Sequence, residues 1–150
     1  MKMRAKLAWP WVVLTLGTLG ILVLVNFHFP QRQMQSRILE KRLSIQFPEG
    51  VVWEFFKNQS GLQAECTFAT LRLTVQQLDL LMRTGPLAHV KFTESNALNN
   101  LNITISGWEP AKCKKCRSGT LQLNENESAI IMLCFDDPKY ARIFIYIMSV

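Results

Sequence analysis

The chain has 150 residues and a formal net charge of +6, from 17 Lys and Arg against 11 Asp and Glu. Three of the basic residues, Lys2, Arg4 and Lys6, precede a long apolar run, so that 14 basic residues face 11 acidic ones from Gln31 onward. The length allows one modest domain, and this nearly balanced charge argues against nucleic-acid binding.

The apolar run covers residues 7–29 and contains no Asp, Glu, Lys or Arg. A helix that rises about 1.5 Å per residue needs about 20 residues to cross the hydrocarbon of a bilayer. The run is longer than the apolar region of a cleaved signal peptide, and no A-x-A-like cleavage site follows it. We therefore predict a transmembrane signal anchor at 7–29, embedded in the lipid bilayer and preceded by a basic cytoplasmic tail at 1–6.

The orientation of the anchor is predicted from the basic residues on its two sides. Three lie within the six residues before it, whereas four are spread over a longer segment after it, at Arg32, Arg37, Lys41 and Arg42. The denser cluster favours the cytoplasmic side under the positive-inside rule. We expect a single-pass membrane protein with a cytoplasmic amino terminus and an extracytoplasmic carboxy-terminal domain; the inverted topology is the alternative.

Residues 30–43 have the composition of a juxtamembrane stalk. Met34, Ile38 and Leu39 recur at helical spacing among basic residues, which predicts a short amphipathic helix. One interpretation is a solvated connector whose few apolar residues dock on the domain. The other is a helix that lies on anionic headgroups or pairs with a partner helix.

The folded domain is predicted to span 44–150 and to begin with strands. Short runs rich in β-branched and aromatic residues predict strands at 44–47 and 51–56, with a Pro-Glu-Gly turn between them. Alternating apolar residues predict another strand at 65–73.

Segment 74–85 carries the clearest helix pattern of the domain. Thr74 is a favourable N-cap, and Gln77 three residues later completes a capping box. An apolar stripe follows, and Gly85 with the next proline ends the helix. This pattern predicts one amphipathic helix packed on a sheet.

The second half of the domain is predicted to be mostly strands. Segment 87–92 is a strand or an extended connection, 101–105 a strand, and 120–123 a short strand. Two apolar runs at 128–135 and 142–148 flank a loop of about five residues, which predicts a C-terminal hairpin of central strands. The fold class expected is a single N-terminal transmembrane helix followed by a small α+β domain, with a largely antiparallel sheet of about five to seven strands and one main packed helix.

Four cysteines, Cys66, Cys113, Cys116 and Cys134, are candidates for disulfides. In an oxidising compartment they predict two bridges with three alternative connectivities, of which a Cys66–Cys134 bridge would join two strands distant in sequence. A zinc site would favour a second C-x-x-C, and a thioredoxin-like motif would need a βαβ context, so metal binding, redox activity and free thiols are the alternatives. We expect no metal and no cofactor.

A basic segment surrounds the second pair of cysteines. Four cations lie within six residues that contain no acid: Lys112, Lys114, Lys115 and Arg117. Such a run is either a solvated loop or a patch for an anionic partner, which would be an acidic protein, lipid phosphates or another polyanion.

Three N-x-S/T sequons lie in the domain, at Asn58, Asn102 and Asn126. Their number is only a mild excess over chance. We therefore predict glycosylation at these positions only if the protein is eukaryotic or viral and passes through a glycosylating pathway.

Catalytic residues are scarce. The two histidines, His28 and His89, have no evident catalytic neighbours. Asp136-Asp137-Pro138 has the composition of a turn, and a metal or acid/base pair is the alternative. No nucleophile, phosphate-binding or metalloprotease motif is present, so we expect no enzyme. The function predicted is non-catalytic protein binding or scaffolding at the membrane surface by an extracytoplasmic domain. The alternative is a membrane-tethered thiol redox or metal-handling protein that uses Cys113 and Cys116.

Overall fold

The computed structural model describes residues 34–61, 64–101 and 103–149. The predicted anchor at 7–29 lies outside these ranges and stays a prediction. Within them, no helix combines the length and the apolar character that a membrane crossing requires. The chain divides into two compact units, Met1–Arg37 and Ile38–Val150. Only 34–37 of the first unit are described, and these four residues are helical.

The second unit is built on one antiparallel sheet of five strands in the order β1-β2-β5-β4-β3. The hairpin of β4 and β5 and their inner positions are as predicted, because both strands carry apolar side chains on both faces. The strands are β1 at Val52–Ser60, β2 at Glu65–Thr74, β3 at Cys116–Asn124, β4 at Glu127–Cys134 and β5 at Tyr140–Ser149.

In the described residues two helices accompany the sheet, one where the sequence predicts the main packed helix and one within the predicted stalk. Helix α2, at Val75–Arg83, has the predicted capping box: the Thr74 hydroxyl accepts from the Gln77 backbone, and the Gln77 side chain accepts from the Thr74 backbone. Helix α1 covers 34–43, and its residues Leu39 and Leu43 are fully buried. The compact unit begins at Ile38, so the end of the predicted stalk belongs to the core.

The helices cover one face of the sheet. Leu39 and Leu43 of α1 and Leu78 and Leu81 of α2 pack against apolar side chains from the three inner strands. These strand residues alternate along each strand, as one buried face requires: Ala69, Leu71, Leu73, Ala129, Ile131, Leu133, Ala141, Ile143, Ile145 and Ile147.

The opposite face is covered by the later part of the irregular segment that joins α2 to β3, since Leu87 near its start belongs to the first core. Trp108 is buried there against Phe68 and Phe144, and its indole N–H donates to the Ala69 carbonyl at 3.3 Å. Phe68 also stacks on Tyr146. This second core explains why β4 and β5 are apolar on both faces, and it fixes the long connection that forms the candidate site.

Two predicted strands are wrong. Residues 45–48 have no regular structure, although Ile45 and Phe47 are buried. The backbone N–H groups of Ile45 and Phe47 donate to Glu40 of α1 and not to a neighbouring strand. The described residues of 101–105 form no strand but for an isolated bridge from Ile105 to Trp108. In both segments apolar residues alternate with polar ones, as they would in a strand, but neither segment joins the five-stranded sheet.

Candidate functional site

A disulfide joins the predicted cysteine loop to the end of β4. Cys113 and Cys134 are bonded, with their Cα atoms 5.8 Å apart, and both residues are buried. Cys116 begins β3 and lies directly opposite Cys134 in the strand register. The C-x-x-C residues are therefore not bonded to each other, and Cys66 and Cys116 carry free thiols.

The predicted second disulfide is absent from the described structure because of the strand order. Cys66 lies on β2 and Cys116 on β3, which are three strand spacings apart, or about 14 Å. A disulfide requires Cα atoms within about 7 Å. The predicted Cys66–Cys134 bridge is also wrong. Strands β2 and β4 are not adjacent, and Cys66 lies opposite Met148 of β5, whereas Cys134 lies opposite Arg142 near the other end of that strand. The Cys66 sulfur instead lies 3.6 Å from the Tyr146 hydroxyl.

The Asp136 carboxylate holds the loop between Cys113 and Cys116 in place. It accepts hydrogen bonds from the backbone N–H of Lys114 at 3.1 Å and of Lys115 at 3.0 Å. The Lys115 carbonyl in turn accepts from the Phe135 backbone N–H at 2.9 Å. Because the backbone is fixed at these points, the side chains of both lysines project from a defined loop, and both are exposed.

Segment 93–97 is fixed beside the same end of β3. Thr93 and Ser118 exchange two backbone hydrogen bonds of 2.9 Å. The buried Ser118 hydroxyl donates to the Ser95 carbonyl at 2.9 Å and accepts from the Ala97 backbone at 3.2 Å. These bonds position the side chains of Glu94, Ser95 and Asn96 opposite the cysteine loop.

A cleft of about 620 Å³ lies between segment 93–97 and the cysteine loop. Its lining combines three cations, one acid, polar groups, a thiol and an aromatic ring: Lys114, Lys115, Arg117, Glu94, Ser95, Asn96, Cys116 and Phe135. A concave site with charged groups on its rim and a partly apolar lining suits a segment of polypeptide or a small ligand.

The four predicted cations do not all belong to this cleft. Lys112 lies outside its lining and pairs with Glu109 at 2.5 Å. Arg117 lines the cleft and contacts Glu94 across it at 3.7 Å. In the part of the chain that the structure describes, neither Lys114 nor Lys115 has a carboxylate within ion-pair distance. These two ammonium groups therefore give the cleft its unbalanced positive charge.

The Cys116 thiol is half-buried. Burial, with a smaller contribution from the Asp136 charge, raises its pKa above the ordinary value of 9.0. Reactive thiols have a lowered pKa, which neighbouring cations or a helix N-terminus provide. Cys113 and Cys116 are therefore not bonded to each other, and the pKa of the Cys116 thiol is raised and not lowered.

The other described candidate residues do not line the cleft. Asn126 is exposed in the turn between β3 and β4, whereas the Asn58 amide is held by Glu65 and Thr67. Asn102 and His28 lie outside the described residues. His89 is exposed at the end of a 3₁₀ turn.

Sequence reasoning did not find the wall formed by Glu94, Ser95 and Asn96, nor the role of Asp136. The Asp-Asp-Pro composition predicts a turn, and Asp137 fulfils that role by accepting from the Lys139 and Tyr140 backbones. No sequence signal distinguishes Asp136 from its turn-forming neighbour Asp137. Neither a family model nor a curated protein nor a solved structure matches this chain.

Proposed function

We propose that this domain is a non-catalytic binding module that holds an acidic segment of a partner protein in the cleft between residues 93–97 and the cysteine loop. The observation that carries the proposal is the pair of exposed, unneutralised ammonium groups of Lys114 and Lys115 on the rim of a 620 Å³ cleft. Arg117 adds a third cation, opposed by Glu94 alone among the lining residues.

The shape of the site favours a polypeptide over a bilayer surface. A membrane is broad and flat on the scale of this cleft, whereas an extended acidic segment can enter a concavity and reach cations on its rim. The half-buried Phe135 and the polar groups of Ser95 and Asn96 offer contacts to side chains and backbone that a phosphate headgroup lacks. Charge complementarity of this kind guides association and sets specificity.

The apolar run at 7–29 supports a membrane location for the module. With the anchor in the bilayer, the domain would be held near membrane partners on the extracytoplasmic side, where tethering raises the effective concentration of a weak binder. Alkaline extraction tests the anchor: the full chain should stay with the membrane fraction, and a variant that lacks 7–29 should be released. Release of both proteins would contradict the anchor.

Binding of a fluorescent oligoglutamate peptide to the full chain in detergent tests the cleft. The anisotropy should rise on binding, and the affinity should fall as salt screens the lysines. Lys114→Ala with Lys115→Ala should weaken binding on the order of tenfold. The control, Lys57→Ala with Lys139→Ala, removes the same charge from exposed positions elsewhere and should bind like the wild type. Equal binding by both double variants would contradict the proposed site.

A further inference from the structure

Three metal-ligating side chains converge behind the cleft. The Sγ atoms of Cys113 and Cys134 and a carboxylate oxygen of Asp136 all lie within 4.8 Å of one another. Two thiolates and a carboxylate are among the ligands that Zn²⁺ takes in proteins, and structural sites use four ligands in a tetrahedron. The cluster therefore supplies three of the four ligands of such a site.

Cys116 is not among the residues whose ligand atoms lie within 4.8 Å of one another, but its position in the sheet would let it supply the fourth ligand once its side chain turns. It is the cross-strand partner of Cys134, and directly opposed residues of an antiparallel pair project from the same face of the sheet. Cys116 packs against the same core cluster as Cys113 and Cys134. Its thiol is free and half-buried. The C-x-x-C spacing lets one short loop deliver Cys113 and Cys116 together.

The backbone around these residues requires little change to hold a metal. Two thiolates on Zn²⁺ at about 2.3 Å each lie about 3.8 Å apart in a tetrahedron. Cys113 and Cys134 have Cα atoms 5.8 Å apart, so rotation about the Cα–Cβ bonds can separate the two sulfurs once their bond is reduced. The Asp136 carboxylate is already oriented by the Lys114 and Lys115 N–H groups, as outer-shell donors orient metal ligands.

The surrounding charges suit the loaded site. Three thiolates and one carboxylate with Zn²⁺ carry a net charge of about −2, since a coordinating thiol is deprotonated. The ammonium groups of Lys114 and Lys115 belong to the loop that carries two of the ligands, and they have no other described acid partner. They would balance this charge.

We propose that Cys113, Cys116, Cys134 and Asp136 form a Zn²⁺ site when the Cys113–Cys134 disulfide is reduced. Two equivalents of a small-molecule thiol cleave the sulfur–sulfur bond, become one disulfide and leave two protein thiols. Zn²⁺ then binds as the protons of Cys113, Cys116 and Cys134 are released. The same four residues thus have a disulfide state and a metal state, and the metal state does not require an acidic segment in the cleft.

Titration of the reduced full chain with Co²⁺, a spectroscopic substitute for Zn²⁺, tests this proposal. One equivalent should produce thiolate-to-cobalt charge-transfer absorption and the visible bands of tetrahedral Co²⁺, and Zn²⁺ should abolish both. The Cys66→Ser variant should behave like the wild type, since Cys66 lies across the sheet. Cys116→Ser and Asp136→Asn should each weaken Co²⁺ binding. Only Cys116→Ser should also lower the charge-transfer intensity, because it removes a thiolate ligand. The unreduced chain should bind no Co²⁺.

Circular dichroism of the same samples monitors the fold. Absence of cobalt absorption from the reduced wild type, whether the chain is folded or unfolded, would overturn the proposal. So would a Cys116→Ser variant with unchanged spectrum and affinity, because the fourth ligand would then be another group. A Cys66→Ser variant that loses the bands would point to a different site.

Discussion

The guanidinium of Arg42 donates two hydrogen bonds to one carboxylate oxygen of Glu127, from Nε at 2.7 Å and from Nη2. The two residues are 85 positions apart, and both side chains are mostly buried. Arg42 also donates to the Thr67 hydroxyl. This contact joins the end of α1 to β2 and β4.

Replacement of Arg42 by methionine should destabilise the domain by about 1–3 kcal/mol, because the Glu127 carboxylate would be left unpaired at a site with little solvent. The free energy of unfolding in urea measures the effect. Arg83→Met is the matched control, since the Arg83–Asp79 pair is exposed, and a change below about 0.5 kcal/mol is expected there. Equal effects of the two substitutions would show that the buried Arg42–Glu127 contact stabilises the domain no more than an exposed ion pair does.

Gly119→Ala should destabilise the domain by about 1–3 kcal/mol, as overpacking does in close-packed interiors. A Cβ at residue 119 would overlap Cγ1 of Val90 and lie 3.0 Å from the Lys91 carbonyl oxygen, so segment 90–92 would have to move away from β3. Gly61→Ala is the control, because among the described residues its Cβ would meet the Ala64 carbonyl oxygen alone, at an ordinary contact distance of 3.4 Å. Urea unfolding compares the two variants. A neutral Gly119→Ala would contradict the close approach of that segment.

Cys113→Ser should lower the free energy of unfolding by about 3 kcal/mol. The disulfide joins two residues that are 21 positions apart in the sequence, and its loss restores conformational freedom to the unfolded chain. Cys66→Ser, which touches no disulfide, is the control. Non-reducing mass spectrometry should also find a peptide that links Cys113 to Cys134. A link from Cys66 to any other cysteine would contradict the strand order.

Tyr146 should titrate with a pKa of about 12, mainly because burial disfavours its charged form and secondarily because of Cys66. Because of the raised pKa, the Tyr146 hydroxyl stays protonated to a higher pH in the folded chain than in the unfolded chain. The free energy of unfolding should therefore be intact below pH 10, fall as the pH rises toward 12, and then level off. Tyrosinate absorbance in a Tyr140→Phe variant isolates this group, and a midpoint near 10 would contradict its burial.

The sequence was sufficient for features with a local cause. The capping box of Thr74 and Gln77 involves neighbouring residues only, and it specifies the start of α2. The apolar runs of β4 and β5 likewise predict strands that are covered on both faces. Strand order has no such local cause. It arises from the packing of the whole sheet, and together with the strand register it keeps Cys66 away from Cys134.

The candidate cleft was predictable on one side only. A run of cations is visible in the sequence, so Lys114, Lys115 and Arg117 were found. Glu94, Ser95 and Asn96 become their neighbours because Ser118 binds segment 93–97 across more than twenty residues of chain. Asp136 resembles an ordinary turn residue until its bonds to the cysteine loop are seen.

The most direct test of the binding cleft is a reciprocal change of charge in the full chain. Lys114→Glu with Lys115→Glu reverses the unneutralised charges of the rim, while Lys57→Glu with Lys139→Glu changes the net charge equally elsewhere. We predict that the wild type and the control bind oligoglutamate in preference to oligolysine, and that the rim variant reverses this preference. Retention of oligoglutamate binding by the rim variant, or its equal loss in the control, would contradict the assignment of the cleft.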